Sequence, residues 1–262
     1  MELQAPSHWQ TVDVISDIHL HPSEPLTHAA WEHYLQHCRA DALFILGDLF
    51  EVWVGDDVLD TVDGFEHQCA NSLRVLSQRT AVYLMHGNRD FLMGPRLAHA
   101  YGATLIEDPC ILQLGTQRLV LSHGDALCLD DTDYQQFRAT VRTDTWQHAF
   151  LARPLPERQA IAREIRLRSE AAKSIQREYA DADTAETLRW LHNAQAQTLI
   201  HGHTHRPATH ALPGRLERWV LSDWHLDGAA PRAEVLRLQC TPGTGAVAIR
   251  RLAPDASEIT CC

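Results

Sequence analysis

Short apolar runs rich in β-branched residues recur along the chain, and polar sequence follows each of them. Runs of this kind predict buried β-strands. They occupy residues 11–16, 42–46, 81–85, 119–122 and 198–201. Segments with helix-like spacing, 26–39 and 66–76, lie between the early runs. This β-α-β-α-β alternation predicts an α/β fold in which parallel strands are covered by helices.

The strand rhythm stops between residues 134 and 193, where apolar residues recur at helical spacing. We expect a helical cap insertion at 134–193, and a core made of residues 1–133 and 194–262. Three further short runs follow at 218–221, 233–238 and 246–251, separated by glycine and proline. They predict antiparallel strands that complete a second sheet.

Composition narrows the class of protein. The chain has 262 residues, of which 45% are hydrophobic, enough for one sizeable core with an elaboration. A formal net charge of −11 argues against a nucleic-acid partner, because phosphate binding requires a basic surface. The first ten residues, MELQAPSHWQ, lack the basic and apolar regions of a signal peptide, and no window has the roughly 18 apolar residues of a membrane span. We therefore expect a cytoplasmic protein.

Side chains that can bind metals follow the predicted strands. They are Asp17, His19, Asp48, Asn88, His123, His203 and His205. Each motif alone is weak evidence, since an Asp or Asn next to Gly after a strand is usually part of a turn. Parallel topology brings the carboxyl ends of strands to one edge of the sheet, where ligands bind. The seven residues form five groups, one after each predicted strand, and together these groups predict a single site.

The residue types indicate the kind of metal. Carboxylate, amide and imidazole ligands without thiolate suit Mn²⁺, Fe²⁺, Co²⁺ or Zn²⁺. Seven ligands are too many for one ion and suit two ions that share a carboxylate. Two ions about 3.5 to 4 Å apart can activate water and hold the oxygens of a phosphoryl group. The sequence thus favours metal-dependent phosphoryl chemistry.

The ordered motifs D-x-H, G-D, G-N-R-D, H and G-H-x-H, between Asp17 and His205, resemble those of the calcineurin-like metallophosphoesterases. The resemblance implies a layered α-β-β-α sandwich with a helical cap insertion. It also implies the metal ligands: Asp17, His19 and His205 for one ion, Asn88, His123 and His203 for the other, and Asp48 as the bridge.

Four longer blocks are similar to the UDP-2,3-diacylglucosamine diphosphatases of lipid A biosynthesis. The blocks are LFILGDLFEVWVGDD (43–57), HGNRDFLMG (86–94), HGDALCLDDTDYQQFR (123–138) and IHGHTHRPATH (200–210). This resemblance implies hydrolysis of UDP-2,3-diacylglucosamine to UMP and 2,3-diacylglucosamine 1-phosphate, with two Mn²⁺ ions and water attack on the uridine-side phosphorus. It further implies peripheral contact with the cytoplasmic face of the inner membrane, and we predict no protein partner.

Arg89 stands where many members of the superfamily carry a histidine that protonates the leaving alkoxide. A guanidinium cannot donate that proton, because its pKa exceeds about 12. A leaving phosphate needs counter-charge more than a proton, and Arg89 supplies it in a bidentate geometry. We therefore assign catalytic roles to Arg89 and Asp48 and expect a preference for P–O–P bonds over simple monoesters.

The resemblance also implies residues that contact the substrate: Asn88, Arg89, Asp131, Ser169, Lys173 and His203. Asp131 could equally serve as a helix N-cap. Ser169 and Lys173 match the family only in part, since the Asn expected between them is absent. Asp125 either orients a ligand histidine or belongs to a turn.

The predicted cap combines apolar and basic residues. The apolar ones are Trp146, Phe150, Leu151, Ile161 and Ile165, and residues 153–177 hold seven basic and three acidic side chains. An apolar groove beside cationic groups would suit a lipid with a charged head, and the basic groups would favour an anionic leaflet. Ordinary helix packing with solvated charges explains the same residues.

Two other functions remain open at this stage. One is a broader nucleotide-sugar or dinucleotide pyrophosphatase that uses the same metals. The other is a scaffold that binds a partner without chemistry, which the complete set of seven ligands disfavours.

Overall fold

The computed structural model describes residues 1–61, 63–175 and 181–255, with the backbone alone for 167–175. The strands are β1 Glu2–Gln4, β2 Thr11–Ile15, β3 Ala42–Leu46, β4 Ala81–Met85, β5 Ala103–Ile106, β6 Cys110–Leu114, β7 Gln117–Ser122, β8 Thr198–His201, β9 Ala208–Leu212, β10 Leu216–Val220, β11 Val235–Cys240 and β12 Val247–Leu252. The α-helices are α1 Pro25–His37, α2 Phe65–Ser77, α3 Pro95–Tyr101, α4 Thr132–Val141, α5 Asp144–Leu151, α6 Leu155–Ile175 and α7 Thr184–Ala194.

The strands form two six-stranded mixed sheets. The first sheet has the order β12-β11-β2-β3-β4-β5, in which β2 to β5 are parallel and β11 runs antiparallel to β2. The second sheet has the order β1-β6-β7-β8-β10-β9, with β7, β8 and β10 parallel to one another. The parallel centre of each sheet therefore ends in loops that can share one site.

Buried apolar side chains form three clusters in the core. Alternate residues of β3 face opposite sides: Phe44 packs in the cluster between the sheets, whereas Leu43 and Ile45 pack in the cluster under α1, α2 and α3. On the other side of the molecule, Leu199 of β8 packs with Leu191 of α7. This period-two alternation is what a strand buried on both faces requires. The layer order is α-β-β-α, which confirms the predicted fold.

Residues between β7 and β8 form helices α4 to α7, and side-chain caps begin three of them. Asp131 accepts from the Tyr134 amide at 3.1 Å, and Thr143 and Asp183 cap α5 and α7 in the same way. Such caps satisfy amides that have no partner within the helix. The helical content predicted for this segment is present, whereas its division into core and cap at residues 134 and 193 stays a prediction.

The strands and helices predicted in the first half of the chain are present, although β1, α3, β5 and β6 were not predicted, and the predictions after α7 failed in part. Four of the five predicted runs match β2, β3, β4 and β8 within one residue, and β7 begins two residues earlier than predicted. Of the three late runs, only the first joins the second sheet, as β10, so the prediction that all three complete that sheet was wrong. Strands β11 and β12 extend the first sheet beside β2, and β10 pairs in parallel with β8. Sheet membership depends on long-range pairing, to which local periodicity is blind.

None of the helices in the described part of the chain is both long and apolar enough to cross a membrane.

Candidate metal centre

The loop after β2 and the loop after β8 bring three ligand-type side chains together. The ligand atoms of Asp17, His19 and His205 all lie within 4.8 Å of one another. His205 Nε2 lies 3.3 Å from His19 Nε2 and 3.5 Å from Asp17 Oδ1. Three donors that converge from distant parts of the chain form a candidate metal site.

A second group forms where the loops after β4, β7 and β8 meet. Asn88 Oδ1 lies 2.9 Å from His123 Nε2 and 2.8 Å from His203 Nδ1. Asp48 Oδ1 lies 3.8 Å from His123 Nε2, and Asp17, Asp48 and His123 also have ligand atoms within 4.8 Å of one another. All seven predicted ligands therefore converge in two adjoining groups. Asp17 has ligand atoms in both groups, whereas Asp48, the predicted bridge, belongs to the second.

The backbone of these loops is held in an unusual conformation. Non-glycine residues with positive φ are uncommon and cluster at functional sites. Five of the seven predicted ligands have such a φ: Asp17 at 52°, His19 at 51°, Asp48 at 52°, His203 at 66° and His205 at 52°. The fold thus accepts local strain in order to aim these side chains at a common point.

Two glycines allow the loops to approach closely. Gly47 has a φ of 87°, and a Cβ built there would lie 2.6 Å from the Gly87 backbone and 2.7 Å from His123 Nδ1. A Cβ on Gly87 would lie 2.1 Å from Asp48 Oδ1. The ligands can meet only because these two positions carry no side chain.

Asp48 and His123 both have pKa values above those usual for their side chains. Burial raises the pKa of Asp48 to about 7, with the carboxylates of Asp90 and Asp17 adding to the effect and His123 opposing it. Burial lowers the pKa of His123, but the carboxylates of Asp48, Asp17 and Asp125 outweigh it and raise the pKa to about 9. Without a cation, a proton is needed to balance the buried charge.

Three further candidate ligands have pKa values that favour metal binding, whereas for His205 the effect of burial is outweighed by the hydrogen bond with Asp17, which raises its pKa. Burial and the neighbouring His205 hold the pKa of His19 well below its usual value, and burial and His123 lower that of His203 to about 3. Burial acts against ionisation of Asp17, but the hydrogen bond and charge of His205 hold its pKa below the usual range. These groups present neutral imidazoles and an ionised carboxylate, the forms that metals bind.

The residues present therefore fit a divalent metal. Buried carboxylates and imidazoles in mutual contact are costly unless they are paired or bound to a cation. Their oxygen and nitrogen donors match first-row divalent ions, as the sequence predicted. Within the described residues, the two clusters of at least three metal-binding groups both contain Asp17.

Two carboxylates lie next to the outer ring nitrogens of candidate ligand histidines, and neither was predicted from the sequence. Glu51 Oε2 lies 3.4 Å from His19 Nδ1, and Asp223 Oδ2 lies 3.4 Å from His205 Nδ1. Asp223 is itself held by Arg232 at 2.6 and 2.8 Å. Carboxylates in this position fix the orientation and tautomer of a ligand histidine. Asp223 follows the carboxyl end of β10, so the same strand-end criterion could have found it.

Asp90, the last residue of the G-N-R-D motif, fixes the turn after β4. It is fully buried and accepts hydrogen bonds from the amides of Gly87 at 2.8 Å, Asp48 at 3.2 Å and Leu49 at 2.7 Å. These bonds tie the loop after β4 to the loop after β3. Asp90 therefore sets the spacing between two groups of ligands.

Asp125 connects the core to helix α4. Its Oδ2 accepts from the Tyr134 hydroxyl at 2.5 Å and from Arg138 Nε at 2.8 Å. The alternative prediction was that Asp125 orients a ligand histidine, but no hydrogen bond joins it to one among the described residues. His123 Nδ1 instead lies 2.9 Å from the Leu46 carbonyl. Asp125 thus acts as an anchor for the helical segment.

Arg89 lies beside the ligands, with its backbone fixed on both sides. Its amide donates to Asp48 Oδ1 at 2.8 Å, and its carbonyl accepts from the Trp53 amide at 3.0 Å. Its guanidinium lies 3.2 Å from Glu51 Oε1 and lines the large cavity above the ligands. The arginine is therefore positioned to reach a group bound at the metal ligands.

A cavity of about 800 Å³ opens from the ligand cluster toward the helices. Its polar end is lined by His19, Asp48, Asn88, Arg89, His203 and His205. Its apolar walls come from Val52, Trp53, Val54, Phe91, Leu92, Phe137, Trp146, Phe150, Ala162 and Ile165. The cavity thus joins a charged reaction site to an apolar chamber.

The predicted substrate contacts lie in different parts of this cavity. Asp131 lines it and also caps α4, so both roles proposed for it are compatible with its position. Ser169 and Lys173 lie in α6, and their side chains are outside the described part of the structure. Of the predicted apolar residues, Trp146, Phe150 and Ile165 line the cavity, whereas Leu151 and Ile161 do not belong to its walls.

Comparison with known proteins was consistent with the geometry. The calcineurin-like phosphoesterase family matches residues 10–207. The UDP-2,3-diacylglucosamine hydrolase of Bordetella pertussis is 45% identical over 222 residues, which cover 82% of this chain and 86% of that protein. The proteins of the same name from Ralstonia nicotianae and Chromobacterium violaceum are 45% and 46% identical, covering 86% and 82% of this chain and 88% and 90% of theirs.

These matches confirm the family that the motifs predicted. The family match spans the interval from β2 to the last predicted ligand, so it contains the whole ligand cluster. The chain belongs to the calcineurin-like phosphoesterases and, within them, to the family of the UDP-2,3-diacylglucosamine hydrolases.

Proposed function

We propose that this protein hydrolyses the pyrophosphate bond of UDP-2,3-diacylglucosamine, releasing UMP and 2,3-diacylglucosamine 1-phosphate. The observation that carries the proposal is the cavity, which joins the ligand cluster to apolar walls. Relatives that share 45% of their residues with this chain carry the name of that activity. A substrate with a pyrophosphate and two acyl chains matches both ends of the cavity.

The proposed cofactor is a pair of Mn²⁺ ions. Asp17, His19 and His205 would hold one ion, Asn88, His123 and His203 the other, and Asp48 would lie between them. Bound there, the pair would supply an activated water and counter-charge for a phosphoryl group. The oxygen and nitrogen donor set and the absence of thiolates support this class of metal.

Arg89 acts on the leaving group in this proposal. A guanidinium provides counter-charge and not a proton. A departing sugar phosphate is already an anion and gains most from a fixed cation nearby. The position of Arg89 beside Asp48 and Asn88 in the cavity wall supports this role.

The apolar walls are assigned to the acyl chains. Trp146 stacks on Phe150 at a centroid distance of 4.8 Å and an angle of 11°, and Phe91 lies 6.1 Å from Trp146. Arg142 lies over the Phe91 ring at 5.2 Å and donates to the Gly87 carbonyl at 2.8 Å. The aromatic wall is therefore attached directly to the turn that carries Asn88.

A substrate panel tests the proposal. The Mn²⁺-loaded protein should release UMP from UDP-2,3-diacylglucosamine much faster than it hydrolyses UDP-GlcNAc or ADP-ribose. Equal turnover of the three would instead support a broad nucleotide pyrophosphatase. No UMP release at micromolar protein would support a scaffold without catalysis.

The site of attack can be measured in the same reaction. In water enriched in ¹⁸O, attack on the uridine-side phosphorus places the label in UMP. Attack on the sugar-side phosphorus places it in the lipid phosphate and would contradict this part of the proposal.

We further propose peripheral contact with the cytoplasmic face of the inner membrane. Exposed apolar side chains lie in or next to the cavity wall: Val52, Leu129, Leu151 and Ile165, each 37% to 43% exposed. The excess of basic side chains in residues 153–177 supports membrane contact less than the sequence suggested. Arg153 pairs with Glu157, and Arg158 pairs with Asp57, so part of that charge is used within the protein.

Vesicle binding tests the membrane contact. A variant with both Leu151→Asp and Ile165→Asp should sediment less with anionic phospholipid vesicles, because it places charges in the contact surface. Val75→Asp is the matched control, since Val75 is 64% exposed on α2 and outside the cavity. Equal binding of both variants would exclude the proposed surface.

A further inference from the structure

Glu51 has three charged or imidazole neighbours that come from separate parts of the chain. Its side chain is only 11% exposed, and it follows the loop that carries Asp48. One oxygen faces His19, and the other faces both Arg89 and Arg166. A buried carboxylate with this many partners needs an explanation beyond packing, because burying it without them would be costly.

The contact with His19 places a carboxylate next to the outer ring nitrogen of a candidate metal ligand, at ion-pair distance and without a hydrogen bond. Glu51 Oε2 lies 3.4 Å from His19 Nδ1, while His19 Nε2 faces the ligand cluster, 3.3 Å from His205 Nε2. A carboxylate behind the outer ring nitrogen places the proton there and leaves the inner nitrogen free for a metal. The negative charge of Glu51 therefore favours the tautomer of His19 that can bind a cation.

The other oxygen holds two guanidinium groups. Glu51 Oε1 lies 3.2 Å from Arg89 Nη1 and 3.1 Å from Arg166 Nη1. Two cations this close to one point would repel each other without the intervening negative charge. Arg166 belongs to α6, so this contact also joins the helical segment to the site.

We propose that Glu51 is a positioning residue that uses one carboxylate to orient His19 for metal binding and Arg89 for the leaving phosphate. Removal of its charge would then damage two functions at once, the affinity for metal and the rate of the chemical step. The part that concerns Arg89 rests on the proposed function, whereas the part that concerns His19 does not.

The first test measures metal binding without any substrate. Metal-free Glu51→Gln is titrated with Mn²⁺, and the free ion is followed by electron paramagnetic resonance. Loss of an outer carboxylate typically costs about 10- to 100-fold in metal affinity. We expect that loss at one of the two sites, while Arg89→Ala and the control Glu234→Gln bind Mn²⁺ like the wild type. Glu234 is a suitable control because it pairs with Arg251 at 3.0 Å and does not line the cavity.

The second test uses saturating Mn²⁺ and a double-variant comparison. Glu51→Gln should lower kcat for UDP-2,3-diacylglucosamine by about 10-fold or more, with KM changed less than about threefold, because the arginine acts on charge that develops in the transition state. Added to Arg89→Ala, the same change should cost less than about threefold further. When two residues act through each other, their separate losses are not fully additive in free energy in the double variant.

Unchanged Mn²⁺ affinity in a folded Glu51→Gln would overturn the role at His19. If the losses in kcat of Glu51→Gln and Arg89→Ala multiply fully in the double variant, the role at Arg89 is overturned. Should Glu51→Gln not fold, Glu51→Asp carries the same test with a shorter side chain, and a loss of at least about threefold in Mn²⁺ affinity is expected. If the wild type has no turnover, the proposed function fails, but the metal titration still decides the role at His19.

Discussion

The strand-end loops and the helical segment between β7 and β8 are held in place by different means. The loops are buried at Asp17, Asp48 and His123, carry positive φ at five candidate ligands, and are joined by hydrogen bonds from backbone amides to Asp90. The helices attach to the core through long side chains. Arg142 donates to the Gly87 carbonyl, Arg158 to Asp57 and the Val54 carbonyl, and Arg218 to Asp181 and the Ala182 carbonyl.

This difference separates two tasks of one site. Metal ligands must be placed to within fractions of an ångström, which favours rigid loops at the ends of parallel strands. An apolar chamber needs only a shape and a boundary, so a layer attached by a few charged contacts is sufficient. Changes in the loops should therefore abolish chemistry, and changes in the helices should alter substrate choice or stability.

The largest effect is expected from Asp48→Ala. Removal of the carboxylate between the two groups should lower Mn²⁺ affinity by more than about 100-fold, beyond the loss of an outer partner. Metal content after gel filtration and UMP release both measure this, and activity should fall to background. Asp60→Ala, at an exposed ion pair with Arg96, is the control. Two ions retained at full occupancy would exclude Asp48 as a bridging ligand.

Arg89→Ala should have the next largest effect. Loss of a fixed charge at the leaving group is expected to lower kcat by about 10²-fold or more. Mn²⁺ binding should stay intact, because the arginine is not a ligand. Arg96→Ala removes an exposed guanidinium as a control. Turnover equal to that of the wild type would refute the assigned role.

Trp146→Ala should act on the substrate and not on the chemistry. It removes one wall of the chamber, and a buried aromatic side chain contributes about 1.5 to 3 kcal/mol. KM for the diacylated substrate should therefore rise by about 10-fold or more, with kcat nearly unchanged. Trp190→Ala, on α7 and outside the cavity, is the matched control. A KM that does not change would place the acyl chains elsewhere.

The smallest effect is expected at the junction of α7 with the core. Burial acts against ionisation of Asp181, but its hydrogen bond with Arg218 holds the pKa below the usual value. The pair therefore stabilises the fold above the unfolded pKa of about 4, and that stability is lost as pH falls through the lower folded pKa. Because Asp181 is partly exposed, Asp181→Asn should cost only about 1 kcal/mol at pH 7.

Urea unfolding of the metal-free protein measures this difference. The gap between wild type and Asp181→Asn should shrink as the pH is lowered from 5 toward 3. Asp130→Asn, at an exposed position, should show no such trend. A gap that is constant with pH would mean that Asp181 stabilises the protein through packing and not through its charge.

The sequence alone determined the strands at the centre of both sheets, because their apolar runs and polar ends are local features. It also predicted the seven candidate ligands, which follow those strands directly, and it shows arginine at position 89. Their convergence was predictable because parallel strands share an edge. The structure brought all seven together, as expected.

Only the tertiary structure decided which partners surround that site. Glu51 and Asp223 support His19 and His205 across contacts that span 32 and 18 residues, and Asp90 bonds to a different loop from its own. Likewise, β11 joins β2 in the first sheet although more than 200 residues separate them. Such contacts depend on how distant segments pack, and no local period or motif encodes that choice.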